Sequence, residues 1–151
     1  MRVWRICLPR YEIFNGEGAR RYGGRWNQPG TSLVYTSGSL SLAALELFVH
    51  VEADLAPTRL VAVAAEIPDT LEMDSIDATE LPRNWRAYPP PETLKNIGAT
   101  WVAANTTAVL AVPSAVIPEE YNYLLNPRHP QFRRIRILKP IPFRFDLRMW
   151  K

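Results

Sequence analysis

The chain has 151 residues, a formal net charge of +3, 22% charged residues and 47% hydrophobic ones. That is one domain's length with enough apolar content for a packed core, which excludes a disordered chain. The small positive excess suits an anionic substrate or an acidic partner, but it is too weak and too scattered to mark a nucleic-acid track.

The first predicted element is a strand over Arg2–Cys7. Arg2, Arg5 and Arg10 interrupt the apolar stretch that a signal peptide needs. No apolar run approaches the roughly 20 residues that cross a bilayer. The single cysteine, Cys7, cannot form an internal disulfide, which fits a reducing cytoplasm. It has no neighbouring Cys or His, so no metal site is expected.

The stretch Arg21-Tyr22-Gly23-Gly24-Arg25-Trp26-Asn27-Gln28-Pro29-Gly30 comes next. A Gly pair lets backbone approach a ligand closely, because neither residue has a Cβ. An Arg directly after it can offer a planar fork of donors to a phosphate or carboxylate. The same string is also ordinary turn chemistry.

A strand is predicted over residues 32–36, ending on Tyr35 and Thr36, and then a helix over 41–51 with Ser39 or Ser41 as its cap. Leu42, Leu45, Phe48 and Val49 form the apolar stripe. Glu46 lies four residues after Leu42 and points with it, as does His50, four residues further on. A carboxylate on an apolar face needs a pairing or hydrogen-bonding partner. His50 at the helix end reads more readily as a capping or core residue than as a catalyst.

A strand over 59–66 follows, then an irregular connection over 68–90 with room for one short helix. A helix opens near Pro91, where Pro and Glu92 suit a first turn, and Leu94, Ile97 and Trp101 repeat at helical spacing as a core stripe. A strand over 107–112 runs into Pro113, which ends the ladder and leaves the Ser114 hydroxyl at a strand terminus. Ser114 has no Gly-x-Ser-x-Gly elbow, so it is not a hydrolase nucleophile. Residues 120–130, rich in Asn, Pro, Arg and His, read as an ordered loop, and 134–139 as a strand with Arg133, Arg134 and Arg136 at its mouth. Strands and helices mix without strict alternation, so the class is α+β, in a single domain over 1–151.

Four motifs in order carry a resemblance. They are Gly23-Gly24-Arg25-Trp26-Asn27, the Glu46 and His50 of Ala-x-x-Glu-x-x-x-His, the Ser114 of Val-Pro-Ser-Ala, and the tail Asn122 to Pro130. Together they resemble the RES domain, named for its Arg, Glu and Ser, over nearly the whole chain. The resemblance implies a toxin of a bacterial toxin–antitoxin pair. Its partner would be an Xre-type helix-turn-helix antitoxin covering the active site. It further implies a mixed or split sheet like that of ADP-ribosyltransferases, and the consumption of NAD.

On that reading NAD is a substrate and no resident cofactor is expected; the missing Gly-x-Gly-x-x-Gly fingerprint speaks against NAD as a redox carrier. Cleaving the nicotinamide–ribose bond builds an oxocarbenium-like cation. Arg25 suits the pyrophosphate, with Gly23 and Gly24 letting backbone close on it. Tyr35 can stack on the nicotinamide ring or serve packing alone. Glu46 can bond a ribose hydroxyl and favour the cation, Ser114 can bond the nicotinamide amide or a phosphate, and Asn122 joins them from the tail motif. The acceptor stays open: water gives a glycohydrolase, inorganic phosphate a phosphorylase, a target protein an ADP-ribosyltransferase. A non-catalytic module that holds an acidic peptide in the Arg25 cleft is the alternative from another class. The roles of His50 and His129 stay open.

Overall fold

A computed structural model describes residues 1–52 and 58–151. Its strands are β1 (Arg2–Cys7), β2 (Val34–Ser37), β3 (Leu60–Glu66), β4 (Asp74–Ser75), β5 (Val109–Pro113), β6 (Tyr121–Leu125), β7 (Arg136–Ile137) and β8 (Ile141–Phe143). They form one sheet in the order β4-β5-β6-β2-β1-β3-β7, with β8 also on β3. β4 and β5 run parallel and the other pairs antiparallel, so the sheet is mixed. The helices are α1 (Glu17–Tyr22), α2 (Leu40–Phe48) and α3 (Glu92–Ala104).

The sheet is split in the middle. β1 pairs with β3 at six positions, but with β2 only at Trp4↔Ser37. Three apolar clusters follow from that split. One gathers Val3, Val34, Val63, Val109 and Leu125 from both halves. A second packs Leu94 and Trp101 of α3 with Trp26 against Leu110, Val112 and Leu124 of β5 and β6. The third packs Ala43, Ala44 and Leu47 of α2, with Phe145 and Trp150, against Trp4, Ile6, Leu60 and Ala62 of β1 and β3. Alternation along each strand sends neighbouring residues to different clusters, as the pleat requires.

Local chemistry sets the helix ends. Ser39 caps α2 through its Oγ, 3.1 Å from the Leu42 amide. α3 starts after Pro91 and stops at Asn105, which takes a left-handed φ of 53°. Gly98 of α3 faces Trp26 so closely that a Cβ there would stand 1.8 Å from the Trp26 carbonyl oxygen.

The expected strands over 32–36, 59–66 and 107–112 and the helix after Pro91 all form, with ends shifted by one or two residues. Four expectations change. Residues 121–125, read as loop, form β6 between β5 and β2, because Tyr121, Tyr123, Leu124 and Leu125 suit a strand and the Asn122 amide finds side-chain partners. Residues 134–139 give a tight turn over Pro130–Arg134 and the two-residue β7, held between Pro130 and Pro140. α1, not anticipated, is held by Glu17, which accepts from Arg20 Nε at 2.8 Å and Nη2 at 2.6 Å. Val49 lies just past the end of α2 and is 54% exposed, so it leaves the apolar stripe.

Candidate active site

The split between β1 and β2 opens a mostly apolar cavity of about 580 Å³, a volume within the range of small-molecule sites. Its lining comes from β1, β2, α1 with the loop after it, α2, Pro113 at the end of β5 with Ala115 just beyond, and Asn122 of β6. Arg25, Glu46, Tyr35, Gly24 and Asn122 all line it.

Glu46 is the centre of a fixed network. Its Oε1 accepts from Ser114 Oγ at 2.6 Å and from Asn122 Nδ2 at 2.6 Å. Asn122 is oriented in turn, because its Oδ1 accepts from the Ser37 hydroxyl at 2.7 Å. Ser37 and Asn122 sit opposite each other on β2 and β6, so strand register brings them together. Glu46 Oε2 has no partner among the described residues. No buried side-chain polar atom is left unsatisfied there, so this oxygen opens to the cavity.

Ser114 differs from its expected role. It is fully buried and does not line the cavity. Its Oγ donates to Glu46 and accepts from the amides of Val116 at 3.1 Å and Ile117 at 3.0 Å, which uses all its capacity. It stands behind Glu46 and orients it, with no bond left for a ligand.

Arg25 projects from a tight loop. The loop is pinned by Asn27, whose Nδ2 reaches the carbonyls of Ala19 at 2.9 Å and Thr31 at 3.1 Å, and by Trp26, whose side chain enters the core. Arg25 Nη1 donates to the carbonyls of Trp85 at 2.8 Å and Ala87 at 3.1 Å. One nitrogen is thus committed to the 85–87 turn, and the other guanidinium edge makes no bond among the described residues. Burial pulls its pKa below the ordinary arginine value, while nearby Glu46, Tyr35 and Tyr88 oppose that pull. The direction reports the cost of a half-buried cation with no contacting anion.

Tyr35 reaches across to this loop. Its hydroxyl donates to Asn27 Oδ1 at 2.6 Å and accepts from the Trp26 amide at 3.0 Å. Burial raises its pKa, so it stays a neutral phenol. The phenol also explains Gly24, where a Cβ would lie 2.7 Å from the Tyr35 oxygen. Gly23 takes a φ of 71° to end α1. The Gly pair therefore makes room for Pro29 and the tyrosine, and both glycines line the cavity.

This geometry sits in a chain with clear relatives. The RES domain matches residues 2–146. The chain belongs to the RES domain family. "Toxin Res" of Yersinia enterocolitica is 38% identical over 152 residues, spanning 99% of each chain. "Prs ADP-ribosylating toxin" of Sphingobium sp. strain YBL2 is also 38% identical over 152 residues, spanning 97% of this chain and 94% of that one. A chain of the M. tuberculosis MbcT–MbcA toxin–antitoxin complex superposes with a TM-score of 0.79 over 94% of this chain and 83% of its own, at 15% identity. That last likeness is one of fold.

Not every polar motif of this RES domain reaches the cavity. His50 does line it, as an exposed residue whose ring is 5.8 Å from that of Tyr88 and not as the capping or core residue expected. His129 is buried elsewhere; its Nδ1 accepts from the Gln131 amide at 3.1 Å, and its Nε2 lies 3.1 Å from the Asn105 carbonyl. Residues that the sequence reading passed over also line the site, above all Arg5, whose Nη1 donates to the Tyr35 carbonyl at 3.3 Å. The polar position in an otherwise apolar strand was the available signal for Arg5. Ser37 carried no comparable signal, since its role depends on register with β6.

Proposed function

We propose that this RES protein is the toxin of a bacterial toxin–antitoxin pair and that it depletes NAD by cleaving the nicotinamide–ribose bond. The observation that carries the reading is Glu46: one carboxylate oxygen is held by Ser114 and Asn122 while the other opens to a cavity that also presents Arg25. A preoriented carboxylate stabilises a ribosyl cation without reorganising as the charge develops. Relatives whose names call them toxins support the toxin role. The fold neighbour, a toxin held in complex with its antitoxin, supports an antitoxin partner.

In this mechanism Arg25 holds the pyrophosphate through its uncommitted edge and the Tyr35 ring lies along the nicotinamide. The C–N bond breaks with its electron pair leaving on nicotinamide. Glu46 stabilises the cation left on the ribose. An acceptor oxygen then bonds that carbon and releases its proton to solvent. Water yields ADP-ribose and inorganic phosphate yields the phosphorylated sugar. A protein acceptor, favoured by the relative named as an ADP-ribosylating toxin, yields a modified target.

The test is to incubate the pure protein with NAD, in buffers with and without phosphate, and to identify the products. Free nicotinamide is the expected result, and the second product names the acceptor. NAD that stays intact in both buffers, and in the presence of bacterial extract as a source of protein acceptors, would refute the reading and leave a binding module. In cells the protein should be held inactive by an Xre-type antitoxin seated over this cleft. A complex that binds NAD as tightly as the free protein would place the antitoxin elsewhere.

A further inference from the structure

We propose that the rings of Tyr88 and His50 form a gate across the mouth of the cavity, whose opening sets how fast ligands enter and leave. The gate rests on the NAD reading only for the name of its natural ligand.

Tyr88 stands between two walls of the cavity. On one side it follows the turn whose Trp85 and Ala87 carbonyls accept from Arg25 Nη1 at 2.8 and 3.1 Å. It lies close enough to Arg25 that its phenol is among the groups opposing the fall of the arginine's pKa. On the other side its ring meets that of His50, with centroids 5.8 Å apart and planes tilted by 52°. His50 lies two residues past the end of α2 and four after Glu46, and it lines the cavity. The ring contact therefore runs from the wall that holds Arg25 to the wall that holds Glu46.

The bases of this contact are fixed and its tips are free. Trp85 is buried among Leu94 and Trp101, and Arg25 pins the carbonyl of Ala87, so the turn itself is held. Leu42 and Ala43 bury α2 in the same way. Tyr88, by contrast, is 77% exposed, and His50 is exposed. Neither side chain makes a hydrogen bond, or any other ring contact, among the described residues. A single tilted ring contact is weak, and exposed side chains change rotamer within nanoseconds. The gate thus opens and closes much faster than a ligand exchanges, and entry and exit both scale with the fraction of time it is open. Two other accounts compete. Tyr88 could be a wall that touches the ligand, which would change affinity. It could also be a surface contact without consequence for the cavity.

Stopped-flow fluorescence with anilinonaphthalene sulfonate, an apolar anion suited to an apolar cavity with an arginine, separates the three. Tyr88→Ala and His50→Ala should each raise the association and dissociation rate constants by about 2- to 10-fold, the range of one aromatic contact, with Kd unchanged. The double variant should be no faster than either single one, because both remove the same contact. Tyr88→Phe keeps the ring and should keep the natural rates. His50→Ala carries the test if Tyr88→Ala melts early. Unchanged rates, a change in one rate constant with a matching change in Kd, additive effects in the double variant, or no probe uptake by the natural protein would each overturn the gate. Nicotinamide release from NAD is read in parallel. Faster probe exchange in the variants with NAD intact throughout would keep the gate and refute the NAD reading. Nicotinamide release with probe exchange indifferent to both residues would do the reverse.

Discussion

The network at Glu46 and the one at His129 are both polar clusters built with asparagine side chains. In the first, Ser37, Asn122 and Ser114 converge on a carboxylate. In the second, Asn126 Nδ2 donates to Asn105 Oδ1 at 3.3 Å and Asn126 Oδ1 accepts from the Arg128 amide at 3.0 Å, while His129 bridges Gln131 and the Asn105 carbonyl. The second network closes on itself. Every bond ends on backbone or on another member, and none of its residues lines the cavity. It ties the end of α3 to the turn after β6. The first ends on an oxygen that faces open space. A polar cluster that satisfies all its atoms stabilises a fold; one that leaves a single oriented atom unsatisfied at a cavity wall can do chemistry.

The largest effect should come from removing that one charge. Glu46→Gln keeps an oxygen for Ser114 and Asn122 and preserves the volume, so the fold should stand. Turnover of NAD should fall by ~10²-fold or more, the scale for removing one stabilising group in a transition state. Undiminished turnover in a folded Glu46→Gln protein would show that the carboxylate only packs.

A smaller effect follows behind Glu46, and the paired variant tests the contrast directly. Ser114→Ala removes one of the two bonds that orient the carboxylate and strands the amides of Val116 and Ile117. It should lower kcat by about 10-fold with KM unchanged, and stability by ~1–2 kcal/mol. His129→Ala leaves the Gln131 amide and the Asn105 carbonyl unpartnered; it should cost ~1–3 kcal/mol of stability and leave kcat and KM alone below its melting temperature. Melting curves and steady-state kinetics on both proteins decide it. A His129 variant that stays folded but loses kcat would erase the distinction between the networks.

The sequence separated these two networks only in part. Glu46 was legible because a carboxylate on an apolar helix stripe needs a partner, and that partner requirement is a local property. Ser114 was legible as a special position at a strand end, but its orientation was not: facing Glu46 and not the cavity depends on how the 114–117 turn closes over its hydroxyl. Asn122 sat in a stretch read as loop, since Asn and Pro dominate the local signal; only pairing with β2 and β5 makes it a strand. The Gly pair signalled a close approach, yet which group approaches Gly24 is a tertiary fact. The mixed α+β class came from the order of elements. The split between β1 and β2, which creates the cavity, left no trace in either strand's own residues.

The smallest expected effect concerns the α1 wall, where a surface pair shapes the cavity from outside. The Arg20 hydrogen bond holds the Glu17 carboxyl down to about 2, with Arg21 assisting. A carboxyl whose folded pKa is depressed contributes its stabilisation fully above its unfolded value, near the ordinary 4.5, and loses it as pH falls toward about 2. α1 carries Gly18, Ala19 and Tyr22 to the cavity wall, so its loosening in acid should reach the ligand. The pair is exposed, and water screens it, so the gain is slight: Glu17→Gln should speed exchange of the Gly23 amide at neutral pH by less than about five-fold. The direct check is the carboxyl carbon shift of Glu17 followed by NMR against pH. Its midpoint should lie well below the ordinary carboxylate value and move up in Arg20→Gln. A natural protein whose Glu17 titrates at the ordinary value would show that Arg20 does not hold it, and that the α1 wall owes its shape to Gly23 and the Asn27 bonds instead.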